Sequence, residues 1–409
     1  MHSLPVELFL KYVTFDTQSI PGTGKVPSSE GQMVFAKYLA QELKDMGLSD
    51  VSYDEHAYVY ATLPSNNGGK APVFALIAHT DTALEVSGKN VKPRVVRYEG
   101  GDIILNEELG IKTTACDFPD LEEFIGKEII VTDGTTLLGA DDKSGIAAIV
   151  AAAKWYVDNP GEKHGTVKLV FTPDEEIGHG ASLIDIEKLG ADFAYTVDGG
   201  NVGETCWETF NAAACNVTFK GKAVHPGTAK NKLKNASLMM MDFIQQLPPE
   251  ERPETTEERE GFFMCFNLSG NVEQAHLNLM VRDHDLEKFK ARKEFVLKIA
   301  QRINEKYGEG SCNVVITEMY PNMGNVLKDK MYIVEYLNEA IRATGIEPYA
   351  VAMRGGTDGS QLTSRGLPTP NLFMGNMNAH SRNEYLPVHS LEKSCEVIKN
   401  LIRMIGDKG

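Results

Sequence analysis

Between Pro72 and Ala78 the chain reads Pro-Val-Phe-Ala-Leu-Ile-Ala, and the residues that follow are His79, Thr80, Asp81 and Thr82. A strand without a polar face must be covered on both sides, which calls for helices above and below a largely parallel sheet. Such a strand leaves its polar successors at its carboxyl end, where open α/β sheets gather their ligands. Other segments repeat the pattern. Ser144–Val157 reads as a long apolar helix, and Val167–Phe171 and Phe193–Val197 as short buried strands. After Pro321 come a helix near Met331–Ala343, a strand at Asn371–Met374 and a closing helix from Ser390 to Ile405. This alternation predicts an α/β fold, a mainly parallel sheet flanked by helices.

The middle of the chain follows another period. Ala213, Cys215, Val217 and Phe219 alternate as a half-exposed strand does, and a helix carries Ala236, Met240, Phe243, Ile244 and Leu247 on one face. Strands at Phe262–Leu268 and Ala275–Arg282, a helix behind Asp285 and a strand at Asn313–Glu318 complete the order β-α-β-β-α-β. That order is the ferredoxin-like split βαβ pattern. The expected organisation is an inserted α+β domain at residues 210–320, carried on a domain built from residues 1–209 and 321–409.

The length, 409 residues, accommodates two to three domains at about 150 residues each. A net charge of −16 argues against a nucleic-acid partner, which needs a basic face. No apolar run approaches the roughly 18 residues of a membrane span. The first dozen residues read as an amphipathic helix rather than a signal peptide. The six cysteines, Cys116, Cys206, Cys215, Cys265, Cys312 and Cys395, contain no C-x-x-C pair. Scattered thiols suit a reduced, cytoplasmic protein and offer no thiolate metal site, so a metal would be held by imidazole and carboxylate.

Those groups recur at the expected strand ends. Beside His79-Thr80-Asp81 stand Gly139-Ala140-Asp141-Asp142-Lys143, Thr172-Pro173-Asp174-Glu175-Glu176, Val197-Asp198-Gly199-Gly200 and Asn378-Ala379-His380-Ser381. Singly, each has a plain reading as a helix cap, a turn or a solvated helix start. Together, on five strand ends, two imidazoles and several carboxylates form the donor set that Zn²⁺ or Mn²⁺ takes when no thiolate is offered. A phosphate loop at Pro21–Val26 fails for want of the first glycine and of a hydroxyl after Lys25, and no Gly-x-Ser-x-Gly is present.

These motifs resemble the di-zinc exopeptidase and acylase superfamily. Leu138–Lys143, Phe171–Glu176 and Met353–Gly359 resemble its tripeptide aminopeptidases, the peptidase T branch, and the resemblance covers essentially the whole chain. It implies hydrolysis of the N-terminal residue from tripeptides, with dipeptidase or N-acyl amino acid amidohydrolase activity as the alternative. It further implies two zinc ions per subunit, replaceable by Co²⁺ or Mn²⁺, with Asp141 bridging them, His79 and Asp198 on one, and Glu176 and His380 on the other. Asp81 would orient the imidazole of His79. Glu175 would be the general base, and the Asp141-Asp142 peptide would be cis. Two metals about 3.5–4 Å apart would acidify a water and polarise the scissile carbonyl.

The resemblance extends to the inserted domain, which would act as a lid and dimerisation unit. His225 would stabilise the tetrahedral oxyanion, reaching the partner's site in a homodimer. Arg282, which shares a strand face with Asn278, and Arg354 would grip the substrate's C-terminal carboxylate. The expected partners are small peptides and a second copy of the chain, with neither nucleic acid nor membrane. A metal-stabilised binding protein without turnover is the rival from another class, and it leaves Glu175 without a purpose.

Overall fold

The apolar run is a strand, Phe74–His79, in which every residue is buried. In the computed structural model, which describes His2–Lys408, it lies fourth in an eight-stranded sheet. The order is Ser49–Tyr53, Val59–Leu63, Val167–Thr172, Phe74–His79, Phe193–Gly199, Asn371–Phe373, Glu204–Thr209, Tyr349–Met353. The central strands run parallel: Phe74–His79 pairs with Val167–Thr172 and Phe193–Gly199, and the latter pairs with Asn371–Phe373. Flanking pairs are antiparallel.

Side chains of successive strand residues point to opposite faces, and the two faces have separate cores. Phe74, Leu76 and Ala78 join the larger cluster with the helices Leu4–Tyr12, Glu30–Asp45, Ala140–Asp158, Met331–Arg342 and Val388–Gly406. Ala75 and Ile77 join the smaller one with Ile184, Leu189 and Leu362. The helix Ala140–Asp158 is buried almost throughout, because it packs against the sheet, the first helix and the last helix at once. Among the described residues no helix is long and apolar enough to cross a membrane.

The chain divides into two compact units. The first holds everything up to Trp207, Val326–Val351 and everything from Thr357 onward. The second holds Glu208–Asn325 with Ala352–Gly356. In the second, the strands Phe262–Gly270, Gln274–Asp283, Asn211–Lys220 and Cys312–Tyr320 form an antiparallel sheet in that order. Helices Ala236–Ile244 and Leu286–Tyr307 cover one face. Each starts on a side-chain cap, Asn235 accepting from the Ser237 N–H and Asp285 from that of Lys288. The segment Ala352–Gly356, expected in the larger domain, groups with this smaller unit.

The strand ends depart from expectation at one place. Glu128–Val131, the strand before Gly139, belongs to a separate three-stranded sheet with Arg94–Arg97 and Leu386–Pro387. Gly139–Asp141 therefore does not follow a strand of the main sheet; it opens the helix Ala140–Asp158, whose first turn is non-helical at Asp141 and Asp142. Sequence periodicity places the apolar helix correctly but does not show which sheet the preceding strand joins.

The close approach of this helix to the strand Phe193–Gly199 depends on Gly145. A Cβ there would lie 2.3 Å from the Val197 carbonyl oxygen and 2.3 Å from Asp142 Oδ1. Gly145→Ala must push the helix from the strand, and with it Asp141 from Asp198. We expect a loss of about 1–3 kcal/mol in urea unfolding, as for other overpacked cores. Gly161→Ala, with nothing within 4 Å, is the control and should unfold close to the parent. Equal stability of the two variants would show that the contact is slack.

Candidate metal centre

His79 ends its strand fully buried, with Nε2 2.8 Å from Asp141 Oδ1 and 3.9 Å from Asp198 Oδ1. Its Nδ1 faces Asp81, 3.1 Å from the backbone oxygen and 3.4 Å from Oδ1. Ligand atoms of His79, Glu175 and Asp198 lie within 4.8 Å of one another, and so do those of His79, Asp141 and Glu176. His380 Nε2 approaches Glu176 Oε2 at 3.1 Å and Asp141 Oδ2 at 3.4 Å. Two imidazoles and four carboxylates thus converge beyond the carboxyl ends of the parallel strands.

Local backbone shape aims these groups. Asp174 adopts a left-handed conformation at φ 55°, turning the chain into the short 3₁₀ turn Glu175–Ile177. It is fully buried and accepts from the Ser28 N–H at 2.7 Å, the Ser28 hydroxyl and Gln32 Nε2 at 2.7 Å. Such a conformation costs a non-glycine residue about 1–3 kcal/mol, and these bonds hold it. Asp81 anchors the same turn, its carboxylate accepting from the Glu175 N–H at 3.0 Å, the Glu176 N–H at 3.1 Å and the Ser19 hydroxyl. It therefore links His79 to the Glu175–Glu176 turn as well as facing the imidazole. The Asp141-Asp142 peptide is cis. His380 sits at φ 61°, with Nδ1 3.5 Å from Glu85 Oε2.

Burial dominates the electrostatics. It raises Glu175 well above the usual carboxylate range, helped by the charge of Asp198. Asp198 is raised likewise, by burial and then by Asp141. Burial also raises Glu176. Asp141 is lowered in spite of its own burial, because His380 and His79 bond to it. His79 is held well above its ordinary value against the opposing effect of burial, by Asp141 and Asp81. His380 is lifted to about 11, first by its bond to Asp141 and then by that to Glu176. The carboxylates around both imidazoles thus favour their charged forms. Glu176 Oε1 is buried without a hydrogen-bond partner among the described residues. A nitrogen-and-oxygen donor set, surplus negative charge and an unpartnered inward oxygen fit a pair of borderline divalent cations.

Sequence reasoning missed the groups that support this shell: Ser19, Ser28, Gln32, Glu85, Asp358 and Glu384. Asp358 is buried, accepts from the Thr172 hydroxyl at 3.0 Å, and is lifted to about 6 by burial. Burial likewise lifts Glu384 to about 7. Lys143 is fully buried, donates to the Phe15 carbonyl at 2.7 Å, and is lowered to about 7 by burial. The available signals are a Lys inside an apolar helix and acidic residues inside otherwise well-packed segments.

The remaining predicted residues lie in the smaller unit. His225 is exposed in a turn, its Nδ1 accepting from the Gly227 N–H at 3.1 Å. Asn278 bonds to Asn216 across the sheet. Arg282 donates through Nη1 to the Arg354 carbonyl at 3.3 Å and stacks on Tyr320, while its Nε is buried without a partner among the described residues. Arg354 is engaged within its own unit. Its Nη1 donates to the Glu258 and Glu260 carbonyls at 3.1 and 2.9 Å, its Nη2 to the Thr256 hydroxyl at 2.7 Å, and it lies over the rings of Phe210 and Phe262. That geometry gives Arg354 the work of holding the 256–260 loop.

Comparison with known proteins bears on the chain as a whole. The model of peptidase family M20/M25/M40 matches residues 131–404. A peptidase T of Caldanaerobacter subterraneus subsp. tengcongensis is 47% identical over 405 residues, 99% of each chain. The fold is shared with the crystal structure of aminopeptidase PepT from Bacillus cereus ATCC 10987, at TM-score 0.77 and 24% identity over 98% of each chain. It is also shared with that of a tripeptidase from Staphylococcus aureus subsp. aureus Mu50, at TM-score 0.79 and 23% identity over 99% of this chain and 98% of that one. With the family's motifs converging in one buried cluster, and with this likeness along nearly its full length, the chain belongs to peptidase family M20/M25/M40.

Proposed function

We propose that the protein is a cytoplasmic metallo-aminopeptidase that removes the N-terminal residue from tripeptides, with two zinc ions per subunit. The observation that carries this reading is the carboxylate–imidazole cluster around His79, backed by full-length likeness to a relative named peptidase T. His79 and Asp198 would hold one ion, Glu176 and His380 the other, and Asp141 both. Bound there, the ions would supply Lewis acidity that acidifies water and polarises a carbonyl.

The chain's own residues supply the rest. Glu175, raised by burial and anchored through its N–H to Asp81, would take a proton from the attacking water and return it to the leaving amine. His225 would donate to the tetrahedral oxyanion. Arg282, with its unpartnered Nε, would bind the C-terminal carboxylate beside Asn278, with Arg354 behind it. The smaller unit would serve as lid and dimerisation domain. Its edge strand Phe262–Gly270 exposes Met264, Phe266 and Leu268, and its first helix exposes Leu238 and Met241. An uncapped edge with apolar side chains suits pairing with a second copy.

The first test is a substrate panel with metal control. Exhaustive chelation should abolish hydrolysis of tripeptides, and Zn²⁺, Co²⁺ or Mn²⁺ should restore it. Dipeptides, tetrapeptides and acetyl-amino acids should turn over more slowly, by about tenfold or more, the effect of leaving one terminal group of the site unpaired. Amidating the tripeptide's C-terminus should cut kcat/KM in the parent and matter much less in Arg282→Ala. Full activity with confirmed metal removal defeats the metallopeptidase reading, and faster turnover of acetyl-amino acids selects the amidohydrolase.

The division between base and ligand predicts different defects in adjacent residues. Glu175→Ala should keep its metal and lose about 100-fold or more in kcat, within the range of general acid–base contributions. Glu176→Ala should lose metal from one site. Equal metal content and comparable activity in the two variants would overturn the assignment.

A shared site predicts complementation. Glu175→Ala and His225→Ala should each be inactive, but a mixed dimer that exchanges His225 between subunits regains one complete site. Co-refolding should recover activity in up to about half of the sites of mixed dimers, given two-fold symmetry. Mixed dimers confirmed by mass, yet without recovered activity, place His225 in its own subunit's site.

A further inference from the structure

Glu384 is 2% exposed, and its carboxylate accepts from four successive backbone amides. Oε2 takes the N–H groups of Leu138 and Gly139 at 2.8 Å each, and Oε1 those of Ala140 and Asp141 at 2.8 and 3.2 Å. These amides form the turn that delivers Asp141 and opens the helix Ala140–Asp158. Glu384 itself stands at the neck of another loop. Met377 and Tyr385 exchange both backbone hydrogen bonds, at 2.9 and 3.0 Å, and close the segment that carries His380. Inside it, the Ser381 hydroxyl donates to the Asn378 carbonyl at 2.7 Å, and Asn378 Nδ2 to the Asn383 carbonyl at 3.3 Å. Asn378 and His380 both take left-handed conformations, at φ 56° and 61°. The loop is internally braced, and Glu384 bolts its neck to the turn of Asp141.

We propose that Glu384 is a positioning residue that sets the spacing between Asp141 and His380, and thereby the affinity of the ion held by Asp141, Glu176 and His380. The inference rests on the two-metal reading above. The four amides point into a buried space, where an N–H left without an acceptor is costly, and one carboxylate serves them all. Glu384→Gln leaves one acceptor oxygen and turns an NH₂ toward donors. Glu384→Asp keeps the charge but withdraws it by one methylene. Either change frees the two ligand loops to shift relative to one another, while His79 and Asp198 keep their separate support from Asp81 and the sheet.

Zinc uptake by the metal-free protein, followed by chelator competition, tests this without reference to turnover. The parent should bind two ions per chain. Glu384→Gln should still take up two ions but hold the weaker-binding one about 10–100-fold less firmly, the usual effect of losing a group that orients ligands, with a smaller loss at the other, because Asp141 serves both. Glu384→Asp should fall between the two. The zinc-induced rise in Tm should shrink in the same order. A group that only caps the helix would instead lower Tm equally with and without zinc and leave both affinities at parental values, and that result overturns the proposal. Should Glu384→Gln fail to fold, Glu384→Asp decides by the same criterion. A parent that binds a single ion would refute the two-metal reading separately. Glu384 would then be judged on that ion, with unchanged affinity in the variant counting against it. A parent that binds none would refute both.

Discussion

Asp141, Glu175, Glu176 and Asp198 converge on one buried pocket, and a pocket of low dielectric does not hold several negative charges unless positive charge stands among them. His79 and His380 stand among these carboxylates, which shift both imidazoles toward their charged forms. Divalent cations would do the same work with more charge in less volume. Asp198 lies on a strand buried almost throughout, Glu175 and Glu176 on a turn tied to Asp81, and Asp141 at the start of a buried helix, so none of these carboxylates is free to turn away. The cluster's chemistry is thus a consequence of the parallel sheet: the same burial that makes Phe74–His79 a strand removes water from the residue that terminates it.

Holding such a cluster open requires a second set of buried acids, and these act on backbone rather than on substrate. Asp81 accepts from the Glu175–Glu176 turn, Asp174 is locked by Ser28 and Gln32, and Glu384 accepts from the turn before Asp141. Each carboxylate satisfies donors that would otherwise be stranded at a loop or a helix start. Each also adds negative charge close to a site that already has too much. Lys143, fully buried and within the fields of Asp16, Asp81 and Glu384, offsets part of it. The arrangement is stable only as a whole, with each loop fixed by a group from a different segment.

That property decides what the sequence can disclose. The Phe74–His79 strand, the Ala140–Asp158 helix and the alternation in Asn211–Lys220 are visible because burial there follows the period of the element itself. The residues of the carboxylate–imidazole cluster are visible because each sits in a short motif beside such an element. Asp81 is visible in the same way, but the backbone-holding roles of Glu384 and Asp174 leave only a weak trace, an acidic residue inside an otherwise well-packed segment. Glu384 reaches turns 243–246 positions away, and Asp174 bonds to residues 142–146 positions away. Beyond that trace, nothing local distinguishes either from a solvated acid. Arg354 shows the converse. Its Gly-rich neighbourhood reads as a ligand loop, whereas its guanidinium stacks on Phe210 and Phe262 and ties down residues nearly a hundred positions earlier.

The two units also differ in how tightly their sequence constrains them. In the larger, a single added methyl at Gly145 or Gly199 meets backbone at 2.3 or 2.7 Å, so helix and strand near the cluster have no room to separate or slide without loss of contact. In the smaller, one sheet face is packed beneath two helices, while the other carries Asn216, Asn278, Met280 and Arg282, partly or fully exposed. A half-covered sheet tolerates substitution on its open face without loss of core packing. Fixed side-chain spacing therefore suits the doubly covered sheet, whereas the open face of the smaller unit leaves its side chains free to vary.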